Sequence, residues 1–215
     1  MLTTTDMVSI LKEAAFDFQS HSEELRQLDS IIGDGDLVVT VEIGSKSLRE
    51  YLSSPDEDNI GQLLAKCGLK FNKASPSTFG TLLASAFMSA GKAVMGKEKI
   101  ELEDLELLAD GAVDGIKKRG KAELGDKTML DCLVPAVEAF KKEITGGTEL
   151  DTALKAAVTA AEEGMKATIP MMAKQGRASW HREKTIGVQD AGATAMYHLI
   201  ESFVRHLISR IEISD

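Results

Sequence analysis

What this sequence has little of narrows it first. It carries two cysteines, Cys67 and Cys132, each alone in an apolar periodic segment and without CxxC spacing. Reduced, buried core thiols are therefore expected rather than a disulfide framework, as suits a cytoplasmic protein. Proline (4) and aromatic residues (5%) are scarce, which favours helices over strands. No uninterrupted apolar run approaches the roughly 18 residues of a membrane-spanning helix. The opening MLTTTDMVSI has neither a basic n-region nor an apolar h-region, so no secretory signal is expected. His21, His181, His198 and His206 show no HExxH or similar spacing, so a zinc site is not expected. Walker A, Gly-rich kinase loop and HRD/DFG signatures are all missing, which excludes the familiar P-loop and protein-kinase sites.

Positive charge is short as well. Lys+Arg total 25 against 34 Asp+Glu, for a net charge of −9, and the basic residues are dispersed. Nucleic acid needs a basic patch and anionic lipid a polybasic segment, so neither is an expected partner. An anionic ligand must find a local site that overcomes the negative field of the chain itself.

What is present is helical periodicity. Met7, Ile10, Leu11, Ala14, Ala15 and Phe18 form one apolar stripe. Others run from Phe79 to Ala90, from Leu105 to Ile116 and from Ala193 to Ile211, with weaker ones at 60–71, 130–140 and 150–165. The single β-like run, Val38-Val39-Thr40-Val41, is too short to build a sheet. The pattern predicts an all-α chain of about eight helices, arranged as an antiparallel bundle with short connections. No linker, repeat or low-complexity segment interrupts it, so residues 1–215 are expected to form one domain. SSPDED and TGGT are plain turns, whereas 119–127 and 170–190 are long, polar and typical of binding loops or lids.

Chemistry concentrates at four places. In Leu28-Asp29-Ser30-Ile31-Ile32-Gly33-Asp34-Gly35-Asp36, two glycines permit a turn that converges three carboxylates. Such an oxygen-only set suits Mg²⁺ or Ca²⁺; the alternative is an acidic turn that merely caps the next helix. In Lys73-Ala74-Ser75-Pro76-Ser77-Thr78, Ser75 is the expected N-cap and Pro76 the first helical residue. That helix start is either a phosphate site or simply a well-capped terminus. Thr128 and Asp131 are spaced as a capping box, Asp190 is placed to cap the last helix, and Arg177 lies in the long loop. Trp180 fits either a loop anchor or a stacking platform. Together these are the parts for holding a nucleotide polyphosphate: N–H donors, a metal and a cation.

The segments LDSIIGDGD, ASPSTFGT, RGKAELGDKTM and GRASWHREKTIGVQDAGAT, in this order and spacing, resemble the L-subunit (DhaL, or DAK2-type) domain of dihydroxyacetone kinases. The resemblance runs from the first helix to the last. It implies an eight-helix antiparallel barrel with the nucleotide in loops at one end. It also implies a Mg²⁺-dependent ADP/ATP-binding subunit, taken as holding two ions, whose glycerone kinase activity needs a separate K-type subunit. The K-type subunit would hold dihydroxyacetone or a related small ketose. A phosphohistidine carrier (the M subunit) would re-phosphorylate the ADP.

Carried over by position, Asp29, Asp34 and Asp36 match the metal ligands. Ala74 and Ser75, with Ser77 and Thr78 beside them, match the phosphate loop. Gly120, Met129, Arg177 and Asp190, with neighbouring Gly192, match nucleotide contacts. The chain departs from the pattern in two places. Leu37, Val38 and Thr40 stand where His, Gly and Asn are usual, so Leu37 and Thr40 become the cofactor-facing residues expected there. Asn72 and Lys73 replace two glycines of the phosphate loop, which restricts close backbone approach. Those departures motivate an alternative: a regulatory module that keeps the fold and binds a K-like protein or transcription factor without phosphoryl transfer.

Overall fold

Helix α1 (Thr4–Ser20) shows local signals and packing in agreement. Thr3 and Asp6 form a capping box: the Asp6 N–H donates to Thr3 Oγ1 at 3.2 Å and the Thr3 N–H to Asp6 Oδ2 at 3.0 Å. All six residues of its predicted stripe are buried. The computed structural model describes residues 1–214, so the last residue of the expected 1–215 unit lies outside the described residues. Helices α2 (Ser22–Ile32), α3 (Asp36–Tyr51), α4 (Ile60–Ala74), α5 (Thr78–Ala93) and α6 (Leu102–Gly120) follow. Then come α7 (Leu130–Thr145), α8 (Leu150–Ala167), a 3₁₀ helix (Ala178–Thr185) and α9 (Ala191–Ser214). A two-residue antiparallel bridge, β1 (Leu2–Thr3) with β2 (Lys99–Ile100), is the whole of the β-structure among the described residues.

The all-α expectation holds, with nine α-helices and one 3₁₀ helix among the described residues where the pattern predicts about eight helices. Helix α2 shows no stripe, because its buried side chains are Leu25 and Ile32, too few to make one readable. The β-like run 38–41 lies inside α3. There Leu37, Val38, Val41 and Leu48 share a buried face, and that burial outweighs β propensity. Cys67 and Cys132 are buried and free, as expected, and burial pushes the Cys132 thiol up to about 12.

Eight helices close a ring. Contacts run α1–α3–α4–α5–α6–α7–α8–α9 and back to α1, while α2 lies against α3 and α9. Small residues set the close approaches: a Cβ on Gly61 would lie 2.6 Å from the Gly91 carbonyl oxygen, where α4 crosses α5. In α7, Pro135 has no N–H for the Asp131 carbonyl, and Gly164 of α8 packs onto that freed oxygen; a Cβ there would sit 2.2 Å away. Because neighbours alternate in direction, the α2–α3, α4–α5, α6–α7 and α8–α9 connections all gather at one end. Each of the four chemical segments read from the sequence lies in one of these connections.

Candidate functional site

The aspartate corner is built by one sharp turn. At the end of α2 the Gly33 N–H donates to the Asp29 carbonyl at 2.7 Å, and a Cβ on Gly33 would overlap Asp29 Oδ1 at 1.8 Å. Gly35, with φ +76°, adopts the left-handed conformation that turns the chain into α3. Asp29 thus comes from the last turn of α2, Asp34 from the corner and Asp36 from the first residue of α3. One oxygen of each lies within 4.8 Å of the others. Backbone donors hold the set: Leu37 N–H to Asp29 Oδ2 at 3.2 Å and Asp36 N–H to Asp34 Oδ1 at 3.4 Å. Burial, followed by the charge of Asp34, raises both Asp29 and Asp36 above the usual carboxylate range. Arg177 crosses from the long loop to offset this repulsion, pairing with Asp34 and lying 3.7 Å from Asp36.

The predicted cap of α5 moves by two residues. Ser75 is the expected N-cap, but α4 continues through Ala74, and the Ser75 N–H donates to the Phe71 carbonyl at 3.0 Å. Ser75 therefore ends α4, and Ser77 caps α5 by accepting the Gly80 N–H at 3.0 Å. Asn72 and Lys73, where the resemblance places glycines, are helical, and Asn72 Oδ1 accepts from Thr81 Oγ1 at 3.0 Å. The expected glycine-type loop is thus the last turn of a helix. Lys73 is a good helix former, and the bond from Thr81 holds the Asn72 side chain in place despite the low helix propensity of asparagine.

The α6–α7 and α8–α9 connections are tied together by the lysine of the Gly-Asp-Lys-Thr-Met segment. Lys127 is 1% exposed, at φ +61°. Its Nζ donates to the carbonyls of Met171 (3.0 Å), Thr185 (2.5 Å) and Val188 (2.6 Å). Burial depresses its pKa. Thr185 Oγ1 accepts the Ala173 N–H at 2.9 Å, and the Lys174 N–H reaches the Asp126 carbonyl at 3.1 Å. Segment 170–190 is therefore a pinned strap containing a 3₁₀ helix, and Trp180 on it is 79% exposed, too open to act as the loop's anchor among the described residues. Asp131 half-completes the expected capping box, accepting from Thr128 N–H at 2.7 Å and Gly125 N–H at 2.6 Å. Asp190 caps α9 as expected, accepting from the Ala193 N–H at 2.7 Å, and burial pushes its carboxyl up to about 6.

These parts surround a cleft of about 560 Å³. Asp29, Asp34, Asp36, Leu37, Ser77, Thr78, Gly120, Met129, Arg177, Asp190 and Gly192 all line it. Thr40, Ala74 and Ser75 do not. Thr40 is buried below, its hydroxyl donating to the Asp36 carbonyl at 3.0 Å, and Ser75 is buried in the α4–α5 link.

A protein-family model described as the DAK2 domain matches residues 31–205. The chain belongs to this family. Curated relatives of this DAK2 chain include a phosphoenolpyruvate-dependent dihydroxyacetone kinase ADP-binding subunit DhaL of Escherichia coli. It is 35% identical over 93% of this chain and 95% of its own length. The corresponding subunit of the second such kinase of Listeria innocua is also 35% identical, with 92% of each chain covered. Among solved structures, the dihydroxyacetone kinase from C. freundii, in complex with AMP-PNP and Mg²⁺, matches with TM-score 0.71 and 23% identity. The match covers 92% of this chain but spans about a third (33%) of that kinase. That likeness shows the fold: the eight-helix barrel implied by the resemblance is the ring described above.

Within the DAK2 domain, the residues missed by sequence reasoning include Thr81, Arg119 and Gln175, which line the cleft, and others that shape it from below. Thr168, for example, receives the Asp190 N–H at 3.0 Å while donating to the Met165 carbonyl at 2.6 Å. Lys127 alone carried a usable signal, a lysine inside the Gly-Asp-Lys-Thr-Met segment. Among the described residues, no helix is long and apolar enough to cross a membrane.

Proposed function

We propose that this chain is the Mg²⁺-dependent ADP/ATP-binding subunit of a kinase for dihydroxyacetone or a related small ketose. In this reading it donates phosphate to substrate held on a separate K-type subunit. Residues 1–215 act as one DhaL-like domain in the cytoplasm, and a phosphohistidine carrier (the M subunit) restores bound ADP to ATP. The observation that carries the reading is the convergence on one cleft of three carboxylates, a capped helix start and an arginine. The printed names of the two relatives, both ADP-binding DhaL subunits, support the nucleotide.

The residues fit the metal. Asp29, Asp34 and Asp36 offer only oxygen donors and crowd like charges together, a set that suits a hard cation, taken as two Mg²⁺ ions. When bound, Mg²⁺ supplies the positive charge that lets polyphosphate lie against three carboxylates. The hydroxyls of Ser77 and Thr78, with the free N–H groups of the first turn of α5, receive phosphate oxygens at the positive end of the helix. Gly120 closes α6 without a side chain toward the cleft, and buried Met129 offers an apolar face to the base. Leu37 donates its N–H to Asp29 and so orients one metal ligand. Arg177, which pairs with Asp34, exchanges that carboxylate for the phosphoryl charge. Asp190 and Gly192 hold the start of α9 against the cleft, while Thr40, Ala74 and Ser75 act only by supporting the residues above them.

Calorimetry with ADP tests the reading. Binding is expected with Mg²⁺ and is expected to vanish with chelator; no binding under either condition overturns it. One observation favours the regulatory alternative: the phosphate loop has become helix, with Asn72 and Lys73 inside α4. Assays with a K-type subunit separate the two, since turnover of any triose or tetrulose rules out a purely regulatory module.

A further inference from the structure

We propose that His21, Glu24 and His198 form a second metal site, one that takes a borderline cation such as Zn²⁺. The three residues come from the α1–α2 junction, α2 and α9, and they meet although 174 residues separate Glu24 from His198. His198 Nε2 lies 2.8 Å from Glu24 Oε2, and His21 Nδ1 lies 4.0 Å from the same oxygen. The three ligand atoms all fall within 4.8 Å of one another. Tetrahedral zinc, with metal–ligand bonds of about 2.0–2.2 Å, needs ligand atoms roughly 3.4 Å apart, and these separations bracket that value.

The surroundings fit the role. His198 is largely buried, and desolvation followed by the neighbouring His21 lowers its pKa, which favours the neutral imidazole; an ion displaces the one proton that Nε2 shares with Glu24. Glu24 is half exposed and His21 about one third, so an ion can enter and a water can take the fourth position. Arg26, a nearby cation on α2, lies within ion-pair range of Glu23 and Glu42. The two imidazoles stack with centroids 3.6 Å apart at 12°. Rotation of the His21 ring about its Cβ–Cγ bond, which its exposure permits, turns Nδ1 toward the shared point.

Two nitrogens and one carboxylate oxygen make a softer donor set than the three carboxylates of the aspartate corner. The sites are also apart: at 1.5 Å per residue, Asp190 lies about 12 Å from His198 along α9, and Asp29 about 7.5 Å from Glu24 along α2. An ion here fastens α2, which presents Asp29, to α9, which opens at Asp190.

The test uses the full chain with saturating Mg²⁺, titrated with Zn²⁺ by calorimetry and with Co²⁺ by visible absorption. One equivalent of each is expected, with a tetrahedral Co²⁺ band. His21→Ala and Glu24→Gln should each weaken Zn²⁺ at least about tenfold to 100-fold, with unchanged helical circular dichroism. His206→Ala, which removes a histidine paired with Asp17 elsewhere on α9, should leave binding intact. Retention of the site in the double variant Asp34→Asn, Asp36→Asn supports it as separate from the nucleotide site. The proposal is overturned by the absence of a stoichiometric Zn²⁺ equivalent, by equal binding in His21→Ala and His206→Ala, or by loss of binding in the aspartate variant.

Discussion

The aspartate corner and the Lys127 knot belong to the same cleft and are built in opposite ways. The corner gathers three like charges from eight residues of chain, partly open to solvent, with a half-exposed arginine to balance them. The knot buries a single cation and satisfies it with carbonyls 44, 58 and 61 residues away. One is poised to accept a ligand, because its repulsion is relieved by any added cation. The other is complete, since every Nζ proton has a partner and a ligand could add nothing. A corner that must change state is thereby set beside a strap that must not.

Breaking the knot should have the largest effect on stability. Lys127→Met leaves three carbonyls without their donor and releases the 170–190 strap, at a cost of about 3 kcal/mol or more in urea unfolding. Arginine is no rescue, because its planar fork does not match three convergent carbonyls. An unfolding midpoint equal to wild type would show that the strap is held by other contacts.

The corner should fail differently. Asp34→Asn with Asp36→Asn is expected to lower Mg²⁺-dependent ADP affinity at least about 100-fold by calorimetry. The helical signal should stay intact, and stability without metal should be unchanged or higher, because like charges are removed. The raised pKa values of Asp29 and Asp36 also predict that acid weakens Mg²⁺ binding at a pH above the usual carboxylate range.

Asp190 stands between the two, a buried carboxyl at the start of α9. Its folded pKa of about 6 exceeds the ordinary value of 3.8, so the folded chain holds the proton more tightly than the unfolded one. The stability this contributes is present in acid and is lost as pH rises from about 4 to 6, by roughly 2–3 kcal/mol. Asp190→Asn should flatten that component when urea midpoints of the two proteins are compared across the range. The smallest effect is at the start of α5. Ser77→Ala should cost about 1 kcal/mol in thermal unfolding through loss of the Gly80 cap, whereas Ser75→Ala should stay within about 0.5 kcal/mol. The reverse order would return the cap to Ser75.

Much of the cleft was legible in the sequence because its chemistry is local. The turn at Gly33 and Gly35, the cap at Asp190 and the α1 stripe all depend on residues within one or two turns of each other. The β-like run in α3 misled for the opposite reason, since burial against neighbouring helices outweighed its propensity. Ser75 misled because α4 outran its expected end, and a helix end is decided by a competition for backbone donors that a capping motif states only in part.

The sequence by itself determined the helical class, the family and the aspartate corner, because periodicity and short-range turn chemistry are properties of neighbouring residues. Only the tertiary structure decided that Lys127 ties two connections together and that His198 meets Glu24. It also decided that the four connections share one end of the ring. Those are contacts between residues far apart in the chain, and they exist only once alternating helices have packed and brought every second connection to the same side.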